Sequence, residues 1–252
     1  MVMRLVQPAG DSSIRRLVGE AKWNSERTQN GGDTYSLRHA GAQTGDLIVD
    51  VGSNIGDFTI AAATLFPWSL VVGIEANPVA YFYTRWNLYL NGIDAHASLA
   101  GRRSGVVTLH GAVGTSAMRV FAPPMDSLNS IAVPERDTDS GAARVQGLRK
   151  RFHSGTWYSV AAIDLPRVLH QHGVSQVRFL KMDCEGCEYA LLPQWWSVGF
   201  LNRVRLLTAE THARYEPNGT FSAESMLALD AALFARGCTR SARPRSEFNF
   251  PC

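Results

Sequence analysis

The feature that most constrains the fold is a strand-like run followed by a helix-like segment, a pattern that occurs twice in succession. Leu47–Val51 (LIVDV) is apolar without alternation, as expected of a strand covered on both faces, and it ends in a glycine turn. A helix is predicted over Asp57–Phe66, a second strand over Leu70–Ile74 and a second helix over Val79–Leu90. Because parallel strands need crossover connections, this order predicts a doubly wound, mostly parallel α/β sheet with helices on both faces.

The alternation of strands and helices continues along the chain. Further strands are predicted at Val106–Ala112, Ser159–Ile163, Val177–Met182 and Val204–Thr208, and further helices at Leu165–His172, Glu188–Trp196 and Ser222–Arg236. We therefore expect one Rossmann-like domain over residues 46–252. Residues 1–45 are expected to form an N-terminal cap or a partly mobile segment, and a Pro-, Ser-, Gly- and Arg-rich stretch at about 122–156 is expected to be a loop or lid.

Composition excludes several classes of protein. The 252 residues are 45% hydrophobic and 19% charged, as in a globular protein. The net charge of +3 comes from mostly scattered basic residues, so we expect no nucleic-acid partner. No run reaches the roughly 18–20 apolar residues of a membrane span, and the first ten residues lack the apolar core of a secretory signal. We expect a cytoplasmic protein with four unpaired cysteines. The oligomeric state is left open.

A glycine turn follows the first predicted strand. In the run DVGSNIG, Gly52 and Gly56 stand four apart before a helix, so that a ligand can approach the backbone closely. The spacing is not the G-x-G-x-x-G of dinucleotide folds and there is no P-loop lysine, which disfavours NAD, FAD and ATP. Glu75 ends the second strand, where a carboxylate can accept hydrogen bonds from both hydroxyls of a ribose. Together with Asp50, this pattern is the signature of S-adenosylmethionine binding.

A cluster of ionisable residues follows the strand predicted at Val177–Met182. It contains Lys181, Asp183, Glu185 and Glu188. In an open α/β sheet this is the edge where ligands bind. Asp183, with Glu185 or Glu188, is expected to orient or deprotonate a substrate hydroxyl, or Asp183 and Glu185 to hold Mg²⁺. The alternative is a surface network of charges with Glu188 at a helix N-terminus.

Two further residues extend this cluster. Glu210 and His212 follow the strand predicted at Val204–Thr208 and alternate across Thr211, so both can face the same cleft as Asp183. A neutral imidazole can remove a proton from a hydroxyl near pH 7, which makes His212 the first candidate for the general base and Asp183 the second. The alternative is that His212 is structural.

A C-x-x-C motif, Cys184-Glu185-Gly186-Cys187, lies inside the acidic cluster. In isolation this motif suggests a redox or zinc site. No second C-x-x-C and no paired His supplies further zinc ligands. We expect two packed thiols, with redox sensitivity and metal binding as the alternatives.

Three ordered motifs resemble the FkbM family of S-adenosylmethionine-dependent methyltransferases. They are LIVDVGSNIGDFTI with VVGIEANP, then VRFLKMDCEGCEYALL, and then LLTAETH. The family has small apolar residues where this chain has Cys184 and Cys187. The resemblance implies that the cofactor is S-adenosylmethionine. The implied cofactor-binding residues are Asp50, Gly52, Ser53, Asn54 and Gly56 in the first turn, Glu75 and Ala76 after the second strand, and Ala112 against the adenine. Residues 39–45 are expected to close over it.

The family also implies the reaction. We expect in-line transfer of a methyl group, with base assistance, to a hydroxyl oxygen of a small molecule such as a sugar or a polyketide-like metabolite. The residues expected to serve that step are His212, Asp183, Glu210, Glu188 and Lys181. One alternative is a non-catalytic module that keeps the fold and the cofactor. Another, a nicotinamide-dependent oxidoreductase, conflicts with the glycine spacing.

Overall fold

A computed structural model describes residues 5–6, 35–123, 130–135, 154–210 and 247–251 of the chain. The helix predicted at Ser222–Arg236 and the candidate base His212 lie outside these residues. The described strands are β1 (Leu47–Val51), β2 (Leu70–Glu75), β3 (Ala95–His96), β4 (Gly105–His110), β5 (Ala112–Val113), β6 (Met118–Ala122), β7 (Ile131–Pro134), β8 (Thr156–Val160), β9 (Ala162–Ile163), β10 (Val177–Met182), β11 (Val204–Glu210) and β12 (Glu247–Pro251). The described α-helices are α1 (Asp57–Leu65), α2 (Pro78–Leu90), α3 (Leu165–Gln171) and α4 (Glu188–Ser197).

Seven of these strands form the central sheet, in the order β12-β11-β10-β1-β2-β4-β3. All neighbours pair in parallel except β12, which is antiparallel to β11 at the edge. β1 lies in the middle, between β10 and β2. The predicted doubly wound, mostly parallel α/β sheet is confirmed.

Helices cover both faces of this sheet. On one face, Val49 of β1 belongs to the same apolar cluster as Leu165 of α3 and Trp195 of α4. On the other face, Ile48 belongs to a cluster with Phe58 of α1, which also contains Leu88 of α2. Every residue of β1 is therefore buried, which explains why its sequence is apolar without alternation.

Two of the predicted strands are divided differently in the structure. The strand predicted at Val106–Ala112 ends at His110, because the backbone breaks at Gly111 and β5 then pairs with β9 instead. A Cβ at Gly111 would lie 2.6 Å from the carbonyl oxygen of Ala161, so only glycine fits this crossing. The strand predicted at Ser159–Ile163 is likewise two strands, β8 and β9, and neither joins the central sheet.

The stretch predicted as a lid at about 122–156 is partly described. Its residues Ile131–Pro134 form β7, which joins β6 and β8 in a three-stranded antiparallel sheet. Asn77, which caps α2, donates from its Nδ2 to the hydroxyl of Ser130 at 2.8 Å, and so ties this sheet to the end of β2. The lid itself stays a prediction. No helix in the described ranges is long and apolar enough to cross a membrane.

Candidate functional site

The glycine turn lies at the carboxyl end of β1. Gly52 and Gly56 have φ angles of +77° and +88°, in the left-handed region that favours glycine. The amides of Gly52 and Ser53 both donate to the carbonyl of Ile74, at 3.0 and 2.9 Å. A Cβ at Gly52 would overlap the carbonyl oxygen of Asp183. Gly52 therefore lets the turn after β1 pack directly against the turn after β10.

Side chains from two elements hold the carbonyl groups of this turn. Lys181 Nζ donates to the carbonyl of Gly52 at 2.7 Å. The hydroxyl of Thr84 donates to the carbonyl of Asn54, and Asn87 Nδ2 donates to that of Ile55 at 2.9 Å. Sequence reasoning missed both α2 residues, although two polar side chains three apart in an aromatic-rich helix were a usable signal. Both are fully buried, so the turn is fixed by polar contacts within the fold.

Several polar atoms of the turn have no partner within the described part of the chain. They are Ser53 Oγ and both side-chain amide atoms of Asn54. Buried polar atoms are nearly always hydrogen-bonded in native proteins, so these atoms fit a polar ligand bound against the turn. The orphaned atoms and the glycine backbone match the cofactor that the motif predicts.

Glu75 ends β2 beside the same turn and is 8% exposed. Its Oε2 accepts from the amide of Asn54 at 2.8 Å and its Oε1 from the amide of Asn77 at 2.7 Å. Burial raises the pKa of Glu75 to about 7, and the two amide donors offset this only in part. Each carboxylate oxygen keeps a second lone pair for a ligand. Ala76, between Glu75 and Asn77, is half-buried.

Asp50 and Lys181 form a buried ion pair under the turn. Lys181 Nζ lies 2.9 Å from Asp50 Oδ1, and Thr59 donates to Asp50 Oδ2 at 2.7 Å. Burial lowers the pKa of Lys181, but the charges of Asp50 and Asp183 outweigh it, so the pKa is raised and the ammonium stays charged. Because both oxygens of Asp50 are occupied and the residue is 0% exposed, it acts on a ligand only through Lys181 and the Gly52 carbonyl.

Asp183, just after β10, is held by a tyrosine that sequence reasoning missed. The hydroxyl of Tyr35 donates to Asp183 Oδ2 at 2.5 Å, and the Thr208 hydroxyl donates to the carbonyl of Tyr35 at 3.1 Å. Burial, followed by the charges of Asp183 and Glu210, raises the pKa of Tyr35 well above its usual value. Because Met182 pairs with Ala209 in the parallel sheet, Glu210, the last residue of β11, follows beside Asp183. No motif surrounds Tyr35, so the sequence carried no signal for it.

The turn between β10 and α4 contradicts the prediction of unpaired thiols. Cys184 and Cys187 form a disulfide with Cα atoms 5.4 Å apart, within the range that a disulfide requires. The left-handed φ angles of Glu185 (+56°) and Gly186 (+106°) fold the turn and bring the two cysteines together. Such a reversal of the chain cannot be read from the C-x-x-C spacing alone.

Glu188 closes the same turn. Its carboxylate accepts from the amides of Cys184 and Gly186, each at 2.8 Å, and the residue is 1% exposed. These contacts give Glu188 a structural role at the start of α4. In the described residues, no group of three or more His, Cys, Asp and Glu side chains is placed to hold a metal ion, so Asp183 and Glu185 are not assigned as ligands.

Ala112 is 3% exposed in β5, directly after Gly111, whose amide donates to the carbonyl of Glu75 at 2.9 Å. The start of β5 is thus next to the end of β2.

Residues 39–45 do not close over this site. The guanidinium of Arg178, at the start of β10, donates from Nε to the carbonyl of Ala40 at 2.6 Å. Trp68, just before β2, donates from its indole to the carbonyl of Ala42 at 3.1 Å. Both partners lie at the amino ends of their strands, so this segment covers the opposite edge of the sheet. The expectation failed because residues directly before a strand lie at its amino end, whereas the glycine turn lies at the carboxyl end of β1.

The chain is similar to several known proteins. The methyltransferase sdnD of Sordaria araneosa is 29% identical over 190 residues, covering 69% of this chain and 68% of that protein. The N-terminal domain of human METTL16 in complex with SAH is similar at 12% identity and a TM-score of 0.41, over 84% of this chain. This chain spans 63% of that METTL16 chain. A human methyltransferase 10 domain containing protein has a TM-score of 0.43 at 11% identity, over 97% of this chain and 96% of that one.

The two structural likenesses are too weak to carry a functional inference. Family membership rests instead on the match to the methyltransferase FkbM domain, which covers residues 50–237, about three quarters of the chain. The match includes the glycine turn, Glu75 and the turn that follows β10, the parts of the fold that meet at one edge of the sheet. The chain therefore belongs to the FkbM family of methyltransferases.

Proposed function

We propose that this protein transfers a methyl group from S-adenosylmethionine to a hydroxyl oxygen of a small molecule. The observation that carries the donor side is the turn after β1. There Ser53 and Asn54 present buried polar atoms that have no partner among the described residues, beside the Glu75 carboxylate. The acceptor side follows from the acids at the ends of β10 and β11, which can take a proton from a hydroxyl.

On the donor side, each residue has a distinct role. When bound, the cofactor supplies a methyl group activated on a sulfonium. Gly52 and Gly56 allow close backbone approach, and Ser53 and Asn54 hydrogen-bond the methionine end. Glu75 accepts the ribose hydroxyls, with Ala76 alongside and Ala112 against the adenine. Lys181, with Asp50 behind it, keeps the Gly52 carbonyl in place rather than touching the substrate.

On the acceptor side, Asp183 and Glu210 orient the hydroxyl, and Asp183 or His212 takes its proton. Tyr35 fixes the Asp183 carboxylate through its 2.5 Å hydrogen bond. Lys181 Nζ lies 3.9 Å from Asp183 Oδ2, so a positive charge stands beside that carboxylate. We take sugars and polyketide-like metabolites, which carry such hydroxyls, as the proposed acceptor class because the FkbM resemblance implies them.

The first test is calorimetric titration of the full chain with S-adenosylmethionine, S-adenosylhomocysteine and NADH. We expect both sulfur ligands to bind and NADH not to. The acceptor class is then tested with matched compounds that offer a hydroxyl, an amine or a carboxylate on one scaffold. Transfer to the amine or the carboxylate alone would overturn the proposal of O-methylation. Cofactor binding without transfer to any acceptor would favour the non-catalytic module.

The acid at the end of β10 is tested by Asp183→Asn. Because a positioned base contributes about a hundredfold or more, we expect kcat to fall by about that factor while the Kd for S-adenosylhomocysteine changes little. The matched control is Asp94→Asn, whose side chain is 87% exposed and which follows the C-terminal end of α2. Equal kcat values for the two variants would remove Asp183 from the reaction.

A further inference from the structure

The Cys184–Cys187 disulfide lies in the turn that touches the glycine turn after β1. We propose that these two cysteines are a reversible redox modification site whose state is transmitted to the proposed cofactor turn. The two turns are in direct contact. A Cβ placed on Gly52 would overlap the carbonyl oxygen of Asp183 and would lie 3.3 Å from Cys184 Cα. The amide of Asp183 also donates to the carbonyl of Val51 at 3.0 Å.

The pair is suited to exchange with an external dithiol. Both cysteines are partly exposed, whereas Gly186 between them is buried. Cys187 is the N-cap of α4, so the helix N-terminus stabilises the thiolate that leaves when the bond is broken. One thiolate of a dithiol reductant attacks Cys184 Sγ, the S–S bond breaks, and Cys187 leaves as a thiolate. The second reductant thiol then releases Cys184, so two electrons pass to the protein, two protons end on the cysteines, and the reductant becomes a disulfide.

Breaking the bond requires movement in this turn. Bonded sulfurs stand about 2.05 Å apart, whereas non-bonded heavy atoms stand at about 3.5–4 Å, so the two sulfurs must separate by about 1.5 Å or more. Glu188 holds the amides of Cys184 and Gly186, which restricts the movement at that end of the turn. Any movement of Cys184 that remains within this restriction reaches Gly52 and Asp183, its neighbours in space and in the chain.

The expected consequence is a tighter cofactor turn in the oxidised protein. We expect reduction to speed hydrogen exchange in the peptide covering residues 50–58 and to leave β3 and β4 unchanged. We also expect the Kd for S-adenosylhomocysteine to rise about fivefold, near the low end of couplings between sites. The change in affinity rests on the proposed function, but the change in hydrogen exchange does not.

The experiment uses the full chain in three states: oxidised, reduced with dithiothreitol, and reoxidised. Intact-mass analysis after alkylation reports whether Cys184 and Cys187 are bonded, and hydrogen exchange and titration with S-adenosylhomocysteine are measured on each state. The matched control is Cys184→Ala/Cys187→Ala, which should behave like the reduced protein and ignore reductant. Cys238 and Cys252 are present in both proteins, so any effect of the reductant on them is the same in the variant and in the parent.

The outcomes separate the two proposals. A reversible change in exchange and in Kd that the double variant lacks supports the redox site. A bond that resists dithiothreitol in the folded protein, exchange at residues 50–58 that is equal in the two states, or an equal response in the double variant overturns it. If exchange responds but no state binds S-adenosylhomocysteine, the redox site stands and the proposed function fails.

Discussion

Glu75 should make the stability of the protein depend on pH in a direction that can be worked out from its surroundings. Burial raises the pKa of Glu75 from 4.5 to about 7. The folded protein therefore binds this proton more tightly than the unfolded chain, and the stability it contributes is fully present below pH 4.5 and is lost as the pH rises through about 7. At about 1.4 kcal/mol per pH unit, the whole interval amounts to about 3 kcal/mol.

The variant Glu75→Gln removes the ionisation and keeps the shape. We compare the free energies of unfolding of the variant and the parent. The difference, variant minus parent, should rise by roughly 2–3 kcal/mol between pH 5 and pH 8. A constant offset of about 1–3 kcal/mol is superimposed, because a single amide oxygen leaves the amide of Asn54 or Asn77 without its acceptor. Asp57, whose pKa burial also raises, is present in both proteins and cancels in the difference.

The assay is denaturant unfolding at several pH values without cofactor, with the exposed Glu135→Gln as control. A difference between variant and parent that stays constant from pH 5 to pH 8 would refute the reasoning, because Glu75 would then have the same pKa in the folded protein and in the unfolded chain. In the parent, S-adenosylhomocysteine should bind more tightly above pH 7, where the carboxylate is ionised. The Gln variant should bind it more weakly and with no such pH dependence.

Three further substitutions test the surroundings of the turn. Gly52→Ala should abolish binding of S-adenosylhomocysteine in calorimetry, because its Cβ would overlap the Asp183 carbonyl, whereas Gly45→Ala, at a similar φ of +83° but with nothing within 4 Å, should keep it. Tyr35→Phe should lower kcat about tenfold and shift its pH profile while the Kd of the cofactor stays the same, and an unchanged profile would separate the tyrosine from catalysis. Asn87→Ala should cost about 1–3 kcal/mol in denaturant unfolding, through the lost bonds to Ile55 and to the backbone of Val6, and no loss would mean that the turn is held without them.

The middle strands of the central sheet, β1, β2 and β10, could be predicted from the sequence because they are buried on both faces. The bounds of β1 and β10 agree with the prediction to the residue, and α1, α2 and β2 agree to within one residue. Gly52 follows β1 directly, Pro67 lies two residues after α1, and Asn91-Gly92 follows α2, so local chemistry marks these boundaries. β10 runs into Asp183 without such a signal.

The parts that could not be predicted depend on contacts between distant segments. The residues of β8 are exposed or half-buried, so its sequence lacks the apolar run of a central strand. β8 pairs with β6 rather than with the central sheet, and this pairing depends on tertiary structure. The bond between Tyr35 and Asp183 joins residues 148 positions apart, with no motif at one end. The role of Thr84 and Asn87 in α2 could not be predicted either, because it depends on the carbonyl groups of Asn54 and Ile55 that they bind.

Counting the partners of each acid separates those that hold the site from those that can meet a ligand. Asp50 and Glu188 are 0% and 1% exposed, and both oxygens of each carboxylate already face a donor from the protein. Substrate cannot reach them without unfolding the turn, so their replacement acts first on stability. The side chain of Asp183 is 25% exposed, and Glu75 retains a lone pair on each oxygen. The sequence predicted Asp50 and Glu75 at the cofactor turn and Asp183 and Glu188 in a separate acidic cluster. Burial and hydrogen bonding show that each of these groups contains one supporting acid and one acid that a ligand can reach.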